Sequence, residues 1–228
     1  MKTVIVTGAT GNLGKAVIGK FLSEGHTVIG TTTRKTETAF DKHPGFEACA
    51  VDLTNENEVA SFIATTLRKY PSIDVAVLTA GGFAVGTLED SGLDQVLAQY
   101  KQNFETAYAI ARLVFVQMMK QKNGRLFLTG SKPGADMRLG KGSVGYALSK
   151  SLIFRLAELM NEEAKATNVV THVIVPSTID TPQNRAAMPS ADFSKWTNPE
   201  SIADIVYAYC SPGFEQVREP VIKVYNKA

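Results

Sequence analysis

Two side chains spaced one helical turn apart raise the first chemical question. In Tyr146-Ala147-Leu148-Ser149-Lys150 the tyrosine and lysine stand four residues apart, so a helix here presents both on one face. An ammonium beside a phenol favours the phenolate and lowers the phenol's pKa toward neutrality. The pair therefore suits Tyr146 to act as general acid toward a carbonyl or imine that receives a hydride. A solvated surface pair is the alternative. Two further residues bear on the choice. Ser131 follows an apolar run and can hold a substrate oxygen. Asn103 lies inside a long helical stretch, where asparagine has poor propensity. It serves there either to relay protons or to bond a neighbouring helix.

A second constellation suits phosphate. Thr7-Gly8-Ala9-Thr10-Gly11-Asn12-Leu13-Gly14 joins an apolar run to a helical one. Glycines in that context permit a tight turn and close backbone approach to a diphosphate, and the following helix offers free N–H groups. The end of the next apolar run reads Thr31-Thr32-Thr33-Arg34-Lys35. Hydroxyls and a guanidinium suit a 2′-phosphate, whereas an acidic residue would hold a ribose diol. NADP(H) is therefore favoured over NAD(H). A solvated basic turn is the other reading of Arg34, and Glu37, swinging in, would favour NAD. Asp52 can accept from the adenine amino group or cap the helix that starts near Asn55.

The elements that must position these groups follow from periodicity. Residues 3–7, 27–31, 46–51, 73–78, 125–128, 169–175 and 221–225 read as strands. Residues 14–23, 56–70, 93–120, 146–166 and 201–209 read as helices. Near-continuous apolar strands alternating with helices imply a parallel sheet covered on both faces. The fold class is α/β, a single-domain Rossmann-type doubly wound sheet of about seven strands. One domain over residues 1–228 is expected, with substrate loops around 132–145 and 177–199, both following strands.

Composition narrows the function classes. Twenty-four Lys and Arg against 22 Asp and Glu leave a net charge of +2, with no clustered basic face of the kind nucleic acid requires. Two distant cysteines, Cys49 and Cys210, suggest buried thiols rather than a disulfide. No apolar run reaches the roughly 18–20 residues of a membrane span. The chain is expected to be cytoplasmic and to use no metal.

In this order, the glycine turn, Asp52-Leu53-Thr54, Thr79-Ala80-Gly81-Gly82, Asn103, Ser131, Tyr146 with Lys150, and Pro176-Ser177-Thr178-Ile179-Asp180-Thr181 resemble the short-chain dehydrogenase/reductase family. The resemblance spans essentially the whole chain. It implies a catalytic tetrad of Asn103, Ser131, Tyr146 and Lys150, with Lys150 also holding the nicotinamide ribose. It implies that Pro176, Ile179 and Thr181 flank the nicotinamide, and that Ala80, Gly81 and Gly82 line the cofactor's middle. With Gly8, Thr10, Gly11, Asn12, Leu13, Gly14, Thr33, Arg34, Asp52 and Leu53, these make up the expected cofactor site. Two positions depart from the family pattern: Asn12 stands where the middle glycine is usual, and Ser177 where glycine is usual.

Within the family, Ala80-Gly81-Gly82-Phe83, Gly145-Tyr146, the run from Asp180 to Arg185, and Met188-Pro189, Phe193 and Trp196 are similar to dihydropteridine reductases. That similarity implies a pterin-like imine as acceptor. Animal members of that branch generally carry a small apolar residue where Ser131 stands and an acidic one near Arg34. The expected activity is thus an NAD(P)H-dependent reductase of a carbonyl or pterin-like imine, with Tyr146 as proton donor. A 3-oxoacyl or simple ketone reductase and a non-catalytic NADP-sensing protein are the alternatives. Phe193 and Trp196 can wall the substrate or merely pack the loop. The resemblance also implies a homodimer or homotetramer, with Leu113, Phe115, Leu152 and Phe154 facing outward or, alternatively, the sheet.

Overall fold

The computed structural model describes residues 1–227. Seven strands form one sheet: β1 (Thr3–Thr7), β2 (Thr27–Thr32), β3 (Phe46–Ala50), β4 (Val75–Leu78), β5 (Asn123–Thr129), β6 (Asn168–Pro176) and β7 (Val221–Val224). Their order is β3-β2-β1-β4-β5-β6-β7, and every pairing is parallel. The helices are α1 (Asn12–Ser23), α2 (Glu56–Lys69), α3 (Leu93–Tyr100), α4 (Thr106–Gln121), α5 (Lys132–Ala135), α6 (Val144–Glu163), α7 (Pro182–Ala187) and α8 (Pro199–Tyr209).

Alternation along each strand builds two cores. Val4 and Val6 face α1 and α8, packing with Val17, Phe21, Ile202 and Val206. Ile5 faces the other way, into a core shared by α2, α4 and α6. Burying each such apolar side chain stabilises the fold by roughly 1.5–3 kcal/mol. Phe115 and Phe154 lie buried in that second core, so of the two orientations left open for them the sheet-facing one holds. Leu113 and Leu152 are half-buried. Both cysteines are free; Cys210 is buried and Cys49 half-buried.

The chain runs outward from β1 to β3, then returns to place β4 on β1's other side. The two following turns diverge at that point, which opens a crevice beyond the strands' carboxyl ends. The expected helix over 93–120 is interrupted. Residues Lys101–Glu105 form a π-turn between α3 and α4. The Asn103 amide donates back to the Gln99 carbonyl at 3.2 Å. A side chain that competes for a backbone carbonyl loosens the local ladder. Such turns concentrate at functional sites.

The amino ends of the strands carry their own buried polar groups. Arg125 on β5 is buried and donates to Gly124 O, Asn168 O, Asn168 Oδ1 and Glu215 O over 2.7–3.1 Å. His172 on β6 is fully buried between Phe127 and Tyr209, and its Nδ1 donates to Glu219 O at 2.8 Å. Its Nε2 has no partner among the described residues.

Candidate active site

The turn after β1 is shaped for close approach. Gly8 adopts a positive φ of 69°, and a Cβ on Gly14 would lie 2.2 Å from Gly8 O. Gly11 caps α1 and has no side chain to offer its free N–H groups. Asn55 caps α2 and Asn198 caps α8 through their side chains, whereas α3 and α6, like α1, have no side-chain cap. The N-terminus of α1 is thus left for an external acceptor, and the residues fit a diphosphate. Asn12 opens α1, and its amide donates to Gln183 Oε1 at 2.9 Å across the crevice. Leu13 turns inward, half-buried against the α1 core.

Beside the turn lies a cavity of about 470 Å³. Gly8, Thr10, Asp52, Leu53, Ala80 and Gly81 line it, bringing together residues expected there from three separate strand ends. A contiguous cavity of about 480 Å³ is bounded by Thr10, Thr32, Thr33, Arg34 and Thr36. Glu37 lines a different cavity, beside Lys35 and Asp41. Asp52 accepts from both the N–H and the hydroxyl of Thr54, at 2.9 and 2.8 Å, which holds its carboxyl below the usual range. It does not cap α2. Asn55 does, accepting from Asn57 N and Glu58 N, because it stands immediately before the helix.

The four expected catalytic side chains converge where this cavity ends. Asn103 is fully buried, and its Oδ1 accepts from Gly82 N at 3.0 Å. A Cβ on Gly81 would meet Asn103 Oδ1 at 2.7 Å and Lys150 Nζ at 3.4 Å, so only glycine fits between them. Lys150 is buried on α6, and its Nζ donates to Thr129 O at 2.8 Å. Burial pushes its pKa down to about 8. Tyr146 lies one turn earlier, with Lys150 Nζ 6.0 Å from its ring centre. Ser131 Oγ accepts from Gly134 N at 3.0 Å, capping α5, which leaves its own hydrogen to donate.

The electrostatics of Tyr146 differ from expectation. Burial raises its pKa, and the Ser131 hydroxyl pulls only partly against that. A lowered value would need the ammonium to outweigh desolvation. Here Lys150 is itself desolvated and spends one N–H on Thr129 O.

Comparison with known proteins bears on the whole arrangement. A family model described as short chain dehydrogenase matches residues 2–191. This chain belongs to the short-chain dehydrogenase family. An oxidoreductase from Bacillus subtilis (strain 168) is 28% identical over 181 residues, 77% of this chain and 67% of the relative. A 3-oxoacyl-[acyl-carrier-protein] reductase from Thermotoga maritima is 24% identical over 237 residues, covering 98% and 96%. The structure titled ElxO with NADP bound superposes with a TM-score of 0.87 at 18% identity, covering 98% of this chain and 96% of that one.

As a short-chain dehydrogenase, the protein is an oxidoreductase of a family that binds a nicotinamide cofactor. Its segment after β6 is held as a folded flap. Pro176 ends β6, and Ser177 Oγ bonds Thr197 Oγ1 at 2.6 Å. Ile179 bridges to Thr197, and Thr181 Oγ1 caps α7 by accepting from Asn184 N at 3.1 Å. Arg185 grips Asp180 through two bonds and lies over the Phe193 ring. Trp196 is buried against Phe193. The two aromatics pack together within the flap, with Phe193 half-buried.

Some residues beside the crevice carry no role in the sequence reading. Lys101 and Gln102 line the cavity of about 470 Å³ beside the glycine turn, and Phe83 sits edge-on to Tyr146 at 5.0 Å. The adjacency of Lys101 and Gln102 to Asn103 was the available signal. Gln183, which meets Asn12, lies in the Asp180 to Arg185 run already quoted for its similarity to dihydropteridine reductases.

Proposed function

We propose that this short-chain dehydrogenase is an NADPH-dependent reductase of a carbonyl acceptor. The carrying observation is the convergence of Tyr146, Ser131, Lys150 and Asn103 at the end of the cofactor-sized crevice. The cofactor, when bound, supplies the hydride. Tyr146 retains its phenolic proton at neutral pH because burial raises its pKa, so it is poised to donate from Oη. Ser131, its oxygen already bonded to Gly134, directs its hydrogen at the acceptor oxygen. Lys150 carries its charge below a pH of about 8 beside the site, where it favours negative charge growing on the tyrosine oxygen.

Ser131 favours a carbonyl over an imine, and the Thermotoga maritima relative is named for 3-oxoacyl reduction. The edge-on Phe83 beside Tyr146 suits a flat acceptor and keeps a pterin-like imine as the second reading. Parallel assays with 3-oxoacyl thioesters, simple ketones and quinonoid dihydropterin separate these. Turnover of dihydropterin alone would overturn the carbonyl reading.

Arg34 in the Thr10–Thr36 cavity supports NADPH. Arg34→Ala is expected to weaken NADPH about tenfold and leave NADH unchanged, as loss of one charged hydrogen bond implies. Equal affinity of the parent for both cofactors would refute the preference. We also propose a homodimer or homotetramer. Leu148 and Leu159 on α6 and Tyr108 and Val116 on α4 are exposed. A monomeric mass by light scattering would overturn this.

A further inference from the structure

Asn103 contributes one oxygen and two hydrogens, and all three are committed. Only Oδ1 can accept from the Gly82 N–H, so Nδ2 must face back into α3. There its hydrogens meet Gln99 O at 3.2 Å and Gln99 Oε1 at 3.4 Å. Gln99 is buried, an unusual place for an uncharged amide without a task. Its own Nε2 donates to Gln102 Oε1 at 3.2 Å. Gln102 in turn lines the cavity of about 470 Å³ beside the glycine turn. The Gln99 Cγ also lies 3.4 Å from where a Cβ on Gly145, the residue before Tyr146, would sit.

These contacts form a directed chain of amides. It runs from Gln102, at the cavity wall, through Gln99 and Asn103 to the Gly82 N–H. Reversing either buried member, Gln99 or Asn103, would set donor against donor or acceptor against acceptor. We propose that Gln99 is a positioning residue, which acts through Asn103. It fixes the direction in which the Asn103 amide points. It thereby holds the Gly81-Gly82 turn where glycine lets Asn103 and Lys150 approach each other. The consequence for cofactor binding rests on the reductase reading above; the consequence for Gly82 does not.

Removing the Gln99 acceptor leaves one hydrogen of a buried amide unpaired, at a cost that corresponds to roughly tenfold or more in local equilibrium. The test is amide hydrogen exchange at Gly82 in the ligand-free protein, with NADPH affinity by fluorescence titration as the second readout. Gln99→Met is expected to speed Gly82 exchange about tenfold and weaken NADPH about fivefold. Gln99→Glu restores the acceptor toward Asn103, and the exposed Gln102 can turn its amide to donate to the new oxygen, so this variant is expected to recover most of both. In an Asn103→Ala background, Gln99→Met is expected to change neither further. Gln99→Asn, which draws the amide back by one methylene, is expected to match Gln99→Met and serves if the latter does not fold.

Parent-like exchange in Gln99→Met or Gln99→Asn would overturn the proposal. So would a Gln99→Glu variant no better than Gln99→Met, or additive losses with Asn103→Ala. A parent that binds no NADPH would refute the cofactor reading, while Gly82 exchange would still decide the role of Gln99.

Discussion

Both ends of the sheet bury cationic or titratable side chains, yet only one end is arranged to react. At the carboxyl ends, Lys150 gives one hydrogen to Thr129 O and sits beside Tyr146, Asn103 and a glycine that leaves room for more. Toward the amino ends and the middle of the strands, Arg125 and His172 are also buried, but their bonds run to carbonyls and an amide of the protein itself. Arg125 ties Asn168 and Glu215 to β5, and His172 ties Glu219 to β6. Burial and a shifted pKa therefore do not distinguish a site from a staple. Unspent hydrogen-bonding capacity facing a cavity does.

The sharpest way to break this contrast is to remove one group from each end. Tyr146→Phe is expected to lower turnover about a thousandfold, while the thermal midpoint and NADPH affinity hold. Retention of most activity would dissolve the distinction. Arg125→Met should do the converse. It leaves its oxygen acceptors without a donor and is expected to cost about 3 kcal/mol in denaturant unfolding, with turnover per folded molecule unchanged.

Acidity separates the two ends next. Burial holds His172 near a pKa of about 4, against an ordinary 6.5. The unfolded chain then takes up the proton first, so stability is retained above pH 6.5 and declines as pH falls toward 4. The loss is expected to reach roughly 3 kcal/mol at pH 4. His172→Phe, which can stack between Phe127 and Tyr209, should flatten that decline, as urea midpoints across pH would show.

Lys150 acts in the opposite range. Its pKa of about 8 implies that kcat/KM for reduction falls above pH 8, as the ammonium is lost. A flat profile from pH 7 to 9.5 would remove Lys150's charge from the reaction.

Most of the fold was legible because its signals are local and repeated. Every strand and long helix was expected within a few residues, since apolar runs and 3.6-residue stripes mark them directly. The residues that meet in the crevice were legible only because the strand ends bring them together. Less legible was whatever depends on three-dimensional surroundings. The π-turn leaves no periodic trace, because one residue of slippage hides within an apolar helix. The inward faces of Phe115 and Phe154 depend on helix rotation about the sheet. The direction of the Tyr146 shift depends on how deeply the ring is buried, which spacing to Lys150 cannot report. The short helices α5 and α7 hide in loops because each is capped by a residue, Ser131 or Thr181, already assigned another task.

The π-turn at Lys101–Glu105 is, in register, one residue more than an α-helix needs over the same span. Deletion of Lys101 should therefore remove it. With that residue gone, α3 and α4 can close into one uninterrupted ladder, and everything between them turns by about 100° per residue removed. Asn103 would then rotate away from Gly82, and the helix would become more regular as the site came apart.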